Sequence, residues 1–247
     1  MDTLQHEVVE PRRASLTRER GVTLVACALA CFAVVAAFGV VVHGDRSPMD
    51  AFDQWGKQAE NWADDHDELV TLLRLVEVCF ATLGMVVWTT LIVLATVSRR
   101  RFRAALFAIA VMVTTSLVTT GIKLWLQRKR PEWQDATDFL TTHSFPSGHA
   151  SSSAALAGIL GFLAWSLLRQ GWARQAVATV AVVVWLSVCF DRVLLGRHFP
   201  TDVVAGSFLG VGVLLLGIAV FDPARVRPRD GRPDPGLDAE GRLEASG

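Results

Sequence analysis

Apolar residues in this chain come in long uninterrupted blocks, with the polar residues pushed into the gaps between them. Six blocks, at about 22–42, 70–97, 104–125, 150–168, 175–195 and 201–221, approach or exceed the roughly 20 residues a helix needs to cross a bilayer. In lipid a helix satisfies its own backbone polar groups, so blocks of this length read as spanning helices rather than strands. The pattern predicts an all-α, polytopic membrane protein, a six-transmembrane-helix bundle. The first block follows basic residues, as a signal peptide would. It is too long for a signal core and is followed by no small-residue cleavage site, so it reads as a retained anchor.

The gaps carry their own patterns. Between the first two blocks, MDAFDQWGKQAENWADDH (49–66) sets Phe52, Trp55, Ala59 and Trp62 at helical spacing. This predicts a short interfacial helix with its aromatics in the headgroup layer, either as an anchor or as a gate over a site. From about 223 onward Pro, Gly and charge dominate, which predicts disorder. The expected organisation is therefore a cytoplasmic segment over 1–21, a membrane domain over 22–221 and a disordered cytoplasmic tail over 222–247. Small residues crowd the fourth block (Ala150 to Gly158) and recur in the sixth as Gly206, Gly210 and Gly212. Such positions allow close helix approach, so these two spans are expected at the bundle centre.

Composition adds limits. The 247 residues are 51% apolar, and 24 basic side chains balance 24 acidic ones. No net charge points to nucleic acid, but the charge is segregated. Arginines cluster before the first span, at Arg99, Arg100, Arg101 and Arg103, at Arg169 and Arg174, and after the sixth span. All four clusters fall on one side, which is then cytoplasmic, with both termini there and a plasma-membrane location expected. Lys123, Arg128, Lys129 and Arg130 break this rule on the opposite side, as an anion-binding demand would require. Cys27, Cys31, Cys79 and Cys189 all lie in apolar blocks without a metal-type pair, and read as packing residues. The six histidines show no metal-type pairing, so no metal or other cofactor is implied. Oligomeric state has no signature in the chain.

Three polar segments fall at the non-cytoplasmic edge: KLWLQRKRP (123–131), PSGH (146–149) and RVLLGRHFPTD (192–202). Pro146, Ser147 and Gly148 suit a helix start, where free N–H groups and the helix dipole favour an anion. Ser147 adds a hydroxyl, and His149 in the first turn could protonate a leaving oxygen. Pro200 could open the sixth helix, with Asp202 in its first turn and His198 just before it. A carboxylate that fixes one imidazole nitrogen makes the other a nucleophile. Lys123 and Arg130 stand seven residues apart, two helical turns, and would face the same way. Arg128 and Lys129 would then point elsewhere, toward anionic headgroups. Taken singly, each segment also has a plain reading: a turn, a helix cap, a snorkelling Arg192. Together on one face, they suit binding a phosphate and breaking one of its ester bonds.

The three segments resemble the motifs of the type 2 phosphatidic acid phosphatase family, which shares its site with bacterial acid phosphatases and vanadium haloperoxidases. The likeness runs from Lys123 to Asp202 in motif terms, and the six-span layout extends it over most of the chain. The resemblance implies that Lys123, Arg130 and Arg192 bind phosphate, helped by Ser147 and the Gly148 amide. It implies that His198 forms a phosphohistidine, that Asp202 orients it, and that His149 protonates the leaving group and later activates water, with no metal. One position departs: Asp191 stands where the family has serine, and could either pair with Arg192 or face away. The expected function is a membrane phosphatase hydrolysing a lipid phosphate or polyprenyl diphosphate at the outer face. A lipid phosphotransferase and a non-catalytic phospholipid-binding protein are the alternatives.

Overall fold

The computed structural model describes residues 18–44, 48–134 and 142–223. Most of the expected N-terminal segment and nearly all of the expected tail lie outside the described residues. Among the described residues eight helices follow in order: α1 (Arg18–His43), α2 (Asp50–Asp64), α3 (Asp67–Cys79), α4 (Thr82–Ser98), α5 (Phe102–Leu126), α6 (Gly148–Leu167), α7 (Gly171–Leu194) and α8 (Pro200–Phe221). Among the described residues, α1, α5, α6, α7 and α8 are each long and apolar enough to cross a membrane. The pair α3 and α4 passes that test together, giving six spans if the bent pair is one. The protein is an all-helical membrane bundle.

The second expected span is where pattern and structure part. The block at 70–97 is two helices bent by 57°. Apolar residues run through the bend, so hydropathy carries no mark of it. The break frees the Cys79 carbonyl, which instead accepts from the Trp88 indole at 3.1 Å. Gly84 leaves room for that carbonyl, since a Cβ there would lie 2.0 Å from the oxygen. A freed carbonyl given a new partner costs little, which lets the kink persist in lipid.

At the centre sit α6 and α8, with 50% and 61% of their apolar stretches buried against 17–39% for the other single-helix spans. Phe107 and Val111 of α5, Ile159 of α6 and Leu209 of α8 form the fully buried core between them. Two glycines set the closeness. A Cβ on Gly206 would stand 2.5 Å from the Ser147 carbonyl oxygen, and one on Gly210 would stand 2.1 Å from that of Ser151. Backbone therefore packs on backbone where these helices begin. The expected helix over 49–66 forms as α2, with Trp55 and Trp62 exposed. Its opposite face buries Asp53, Gly56 and Ala63, and packs on α7 and α8.

Candidate functional site

All three polar segments meet at one end of the bundle. Lys123 lies in the last turn of α5, which stops at Leu126 as Gln127 takes a left-handed conformation (φ 50°). Lys123 and Arg130 therefore do not share a helix face, because the chain has left the helix between them. They converge by another route, both gripping the segment that leads into PSGH. Lys123 Nζ donates to the carbonyls of His143 (2.6 Å) and Ser144 (3.1 Å). Arg130 donates through Nε to the Thr142 carbonyl (2.8 Å) and through Nη2 to the Thr142 hydroxyl (2.9 Å). Its Nη1 donates to the Arg197 carbonyl and lies 3.4 Å from His198 Nε2.

The PSGH segment opens α6 as expected. Ser147 is its N-cap, with Oγ accepting from the Ala150 N–H at 3.4 Å, and its own hydrogen stays available to donate. The Ser147 N–H donates to the Asp202 carbonyl at 3.0 Å, tying the second motif to the third. His149 lines a cavity of about 170 Å³ together with Lys123, Gly148, Thr119 and Ser152. Its Nε2 is buried and finds no hydrogen-bond partner among the described residues.

The third segment turns sharply between α7 and α8. Gly196 adopts φ +61°, and Pro200 takes the first position of α8. His198 is buried, with Nδ1 3.5 Å from Asp202 Oδ2 and 3.4 Å from the Ser144 hydroxyl. The same Asp202 oxygen accepts from the Phe199 N–H at 3.1 Å and from the Ser144 hydroxyl. A proton held on Nδ1 toward Asp202 leaves the Nε2 lone pair facing Arg130. Burial pushes His198 down to about 3, and the cations of Arg130 and Lys123 add to this, although Asp202 opposes it. The imidazole is therefore neutral, the form a nucleophile needs. Burial, with Arg192 and Arg197 nearby, lowers Arg130 to about 10, which still leaves it charged at neutral pH.

Arg192 settles the question posed by Asp191. Its Nε donates to Asp191 Oδ2 at 2.7 Å, Nη2 donates to the same oxygen, and Nη1 donates to Glu77 Oε1 at 2.9 Å. Arg197, also buried, pairs with Glu77 at 3.3 Å. A phosphate directed to Arg192 would have to compete with the carboxylate at 191. Replacing it should release one charge-assisted partner, worth about 1.5 kcal/mol. Asp191→Ser is accordingly expected to lower the inhibition constant for inorganic phosphate by about tenfold, read from competition assays. An unchanged constant would mean that Arg192 does not meet phosphate.

Four residues here escaped the sequence reading, Ser144, Glu77, Arg197 and Asp53, and a fifth, Arg128, was given another place. Glu77 did carry a signal, being an acid inside an apolar block. Arg128, expected to face headgroups, is instead half-buried between Asp202 (2.6 Å) and Asp53 (2.6 Å). The reason is again that helical spacing does not continue past the end of α5 at Leu126, which redirects everything after it. Asp53 was one of many acids in its loop, and nothing in the sequence separates it from them.

Residues 104–225, which contain all three motifs, match the model of the PAP2 superfamily. The chain is 32% identical over 112 residues to phosphatidylglycerophosphatase B of Bacillus subtilis, covering 45% of this chain and 55% of that protein. It is 31% identical over 130 residues to the decaprenylphosphoryl-5-phosphoribose phosphatase of Mycobacterium tuberculosis, covering 51% and 67%. The chain thus spans about half to two thirds of the length of these two relatives. In three dimensions it is similar to the transmembrane PAP2-type phosphatidylglycerolphosphate phosphatase of Bacillus subtilis. That match has a TM-score of 0.70 and 25% identity, and covers 82% of this chain and 98% of the other. A fold shared over nearly the whole of that structure, and a sequence match across α5 to α8 where the motifs gather, make this chain a member of the PAP2 superfamily.

Proposed function

We propose that this protein hydrolyses the terminal phosphate of a lipid phosphate on the extracytoplasmic face of the plasma membrane, through a phosphohistidine and without a metal. The observation that carries the reading is the placement of His198 Nε2 3.4 Å from Arg130, on a neutral ring whose Nδ1 is backed by Asp202. Lys123, Arg130 and Arg192 supply the positive charge that a phosphoryl transition state needs, with Ser147 and the Gly148 amide as further donors. Nε2 attacks phosphorus as the bond to the leaving oxygen breaks, and His149 gives that oxygen its proton. Water then attacks the phosphohistidine, His149 takes the water's proton, and the N–P bond breaks to release phosphate. The outward face is supported by Arg18 and Arg20, by Arg99, Arg100, Arg101 and Arg103, and by Arg169 and Arg174, which lie at the opposite end of the spans from these motifs.

The lipid reading is supported by what adjoins the site. The cavity at His149 shares Thr82, Met85, Ser116 and Ser152 with a cleft of about 380 Å³ between α4 and α5, otherwise walled by residues such as Val86, Val93 and Val113. A tail lying there would leave its phosphate at Lys123 and His149. Val113→Trp should therefore raise KM for a long-chain lipid phosphate by about tenfold or more and spare a short water-soluble phosphate ester. Equal effects on both would remove the cleft from tail binding.

The names of the relatives point to phosphatidylglycerophosphate and to a polyprenyl-linked phosphate as substrates of those proteins. Polyprenyl diphosphate, released on the outer face, joins them as a candidate here. The deciding experiment is phosphate release by detergent-purified protein from a panel of these three and phosphatidic acid, with chelator present and His198→Ala alongside. Release by the wild type alone supports the reading and ranks the substrates. No release from any lipid by folded protein overturns it.

A further inference from the structure

The face of α2 turned toward the bundle meets the first turn of α8 with a carboxylate. Asp53 is only 4% exposed. Its Oδ1 accepts from the Thr201 N–H at 3.1 Å, and its Oδ2 accepts from the Thr201 hydroxyl at 3.0 Å and from Arg128 Nη2 at 2.6 Å. The acid thus satisfies one of the free N–H groups at the start of α8 from outside that helix. Arg128 then carries the contact onward. Its Nη1 donates to Asp202 Oδ1 at 2.6 Å and to the Thr201 hydroxyl at 2.8 Å, while the guanidinium lies 4.1 Å from the centre of the Phe199 ring. Burial alone would lower Arg128, but Asp202 and Asp53 outweigh it and its affinity for the proton rises.

The two oxygens of Asp202 consequently have separate duties. Oδ1 is fixed by Arg128; Oδ2 faces His198, Ser144 and the Phe199 N–H. A carboxylate held on one side can rotate little on the other, and its angle sets the angle of the imidazole. The backbone contact is equally close, since a Cβ on Gly56 would fall 2.8 Å from the Pro200 ring. Surface anchoring would require only the exposed aromatics of α2, not a buried acid with three donors.

We propose that Asp53 and Arg128 are positioning residues for His198, acting through Asp202, and that α2 is a fixed arm of the active site. This rests on His198 being the nucleophile. The pair touches neither the reacting phosphate nor the cavity at His149, so its loss should appear in turnover rather than in substrate binding. The test is a double-mutant cycle of Asp53→Asn, Arg128→Gln and both, in full-length detergent-purified protein, with kcat and KM measured on the best substrate of the lipid panel. Each single variant is expected to lower kcat by about 10- to 100-fold and to leave KM within about threefold. The double variant should be no worse than the poorer single one, since both cut the same chain of contacts. Arg128→Lys keeps the charge but loses the fork that reaches both acids, and should still lose about tenfold in kcat.

If Asp53→Asn or Arg128→Gln fails to fold, Arg128→Lys decides: a wild-type kcat overturns the proposal and a reduced kcat at constant KM supports it. Wild-type turnover in folded Asp53→Asn beside an inactive His198→Ala overturns the positioning role alone. Activity surviving in His198→Ala overturns the phosphohistidine reading, and the positioning role with it. A loss confined to KM, or additive losses in the double variant, also overturns it.

Discussion

His198→Ala is expected to lower kcat on the order of 10⁵-fold while the protein still folds and elutes as wild type. The magnitude follows from removing the atom proposed to form the covalent intermediate, a loss no neighbouring group would replace. Lys123 and Arg130 would still bind phosphate in the variant, so inhibition by inorganic phosphate should change little; this separates a lost nucleophile from a collapsed site. Acid stability supplies an independent readout. His198 sits at about 3 in the fold, because burial dominates, against about 6.5 in an unfolded chain. Between those values the unfolded chain binds the extra proton, so its contribution to stability is complete above about pH 6.5 and is lost as pH falls toward 3. His198→Ala should therefore lose less stability than wild type on acidification over that window, measured by thermal melts at fixed pH. A fall in kcat below about tenfold would remove His198 from the chemistry.

The second large effect belongs to His149 and depends on the leaving group. A positioned general acid is worth about 10²–10⁴ in rate, and most when the departing oxygen is a poor leaving group. His149→Gln should cost about 10³-fold on a lipid alkyl phosphate yet only about tenfold on an aryl phosphate, whose phenolate leaves without help. Equal losses on both substrates would assign His149 to binding. The unpartnered, buried Nε2 of His149 is the structural ground for expecting a proton role.

Hydropathy made the membrane bundle legible because lipid enforces the rule that every spanning backbone group be paired within its own helix. The starts of α6 and α8 were legible because Pro146 with Ser147, and Pro200 with Asp202, are local chemistry. The bend at Phe80 was not, since the groups that sustain it, Trp88 and Gly84, act from further along the chain. Nor was the route by which Lys123 meets Arg130. Helical periodicity extrapolated through Gln127, and the true convergence runs through the carbonyls of 142–144 and 197. The supporting contacts of Asp53, Arg128 and Glu77 join residues 74 to 148 positions apart. Such pairs leave no periodic trace in one sequence. The lone acid at 77 inside an apolar block was the exception.

The bare glycine face of α8 has a mechanical consequence. Ser147 to His149 belong to one helix start and His198 to Asp202 to the other, so the distance between the proposed proton donor His149 and the proposed nucleophile His198 is set by two backbones already touching. Contact between backbones behaves as a hard stop. A bilayer that thickens, thins or stiffens can tilt the outer helices, but under the proposed mechanism the gap the phosphoryl group would cross is gauged from within the protein.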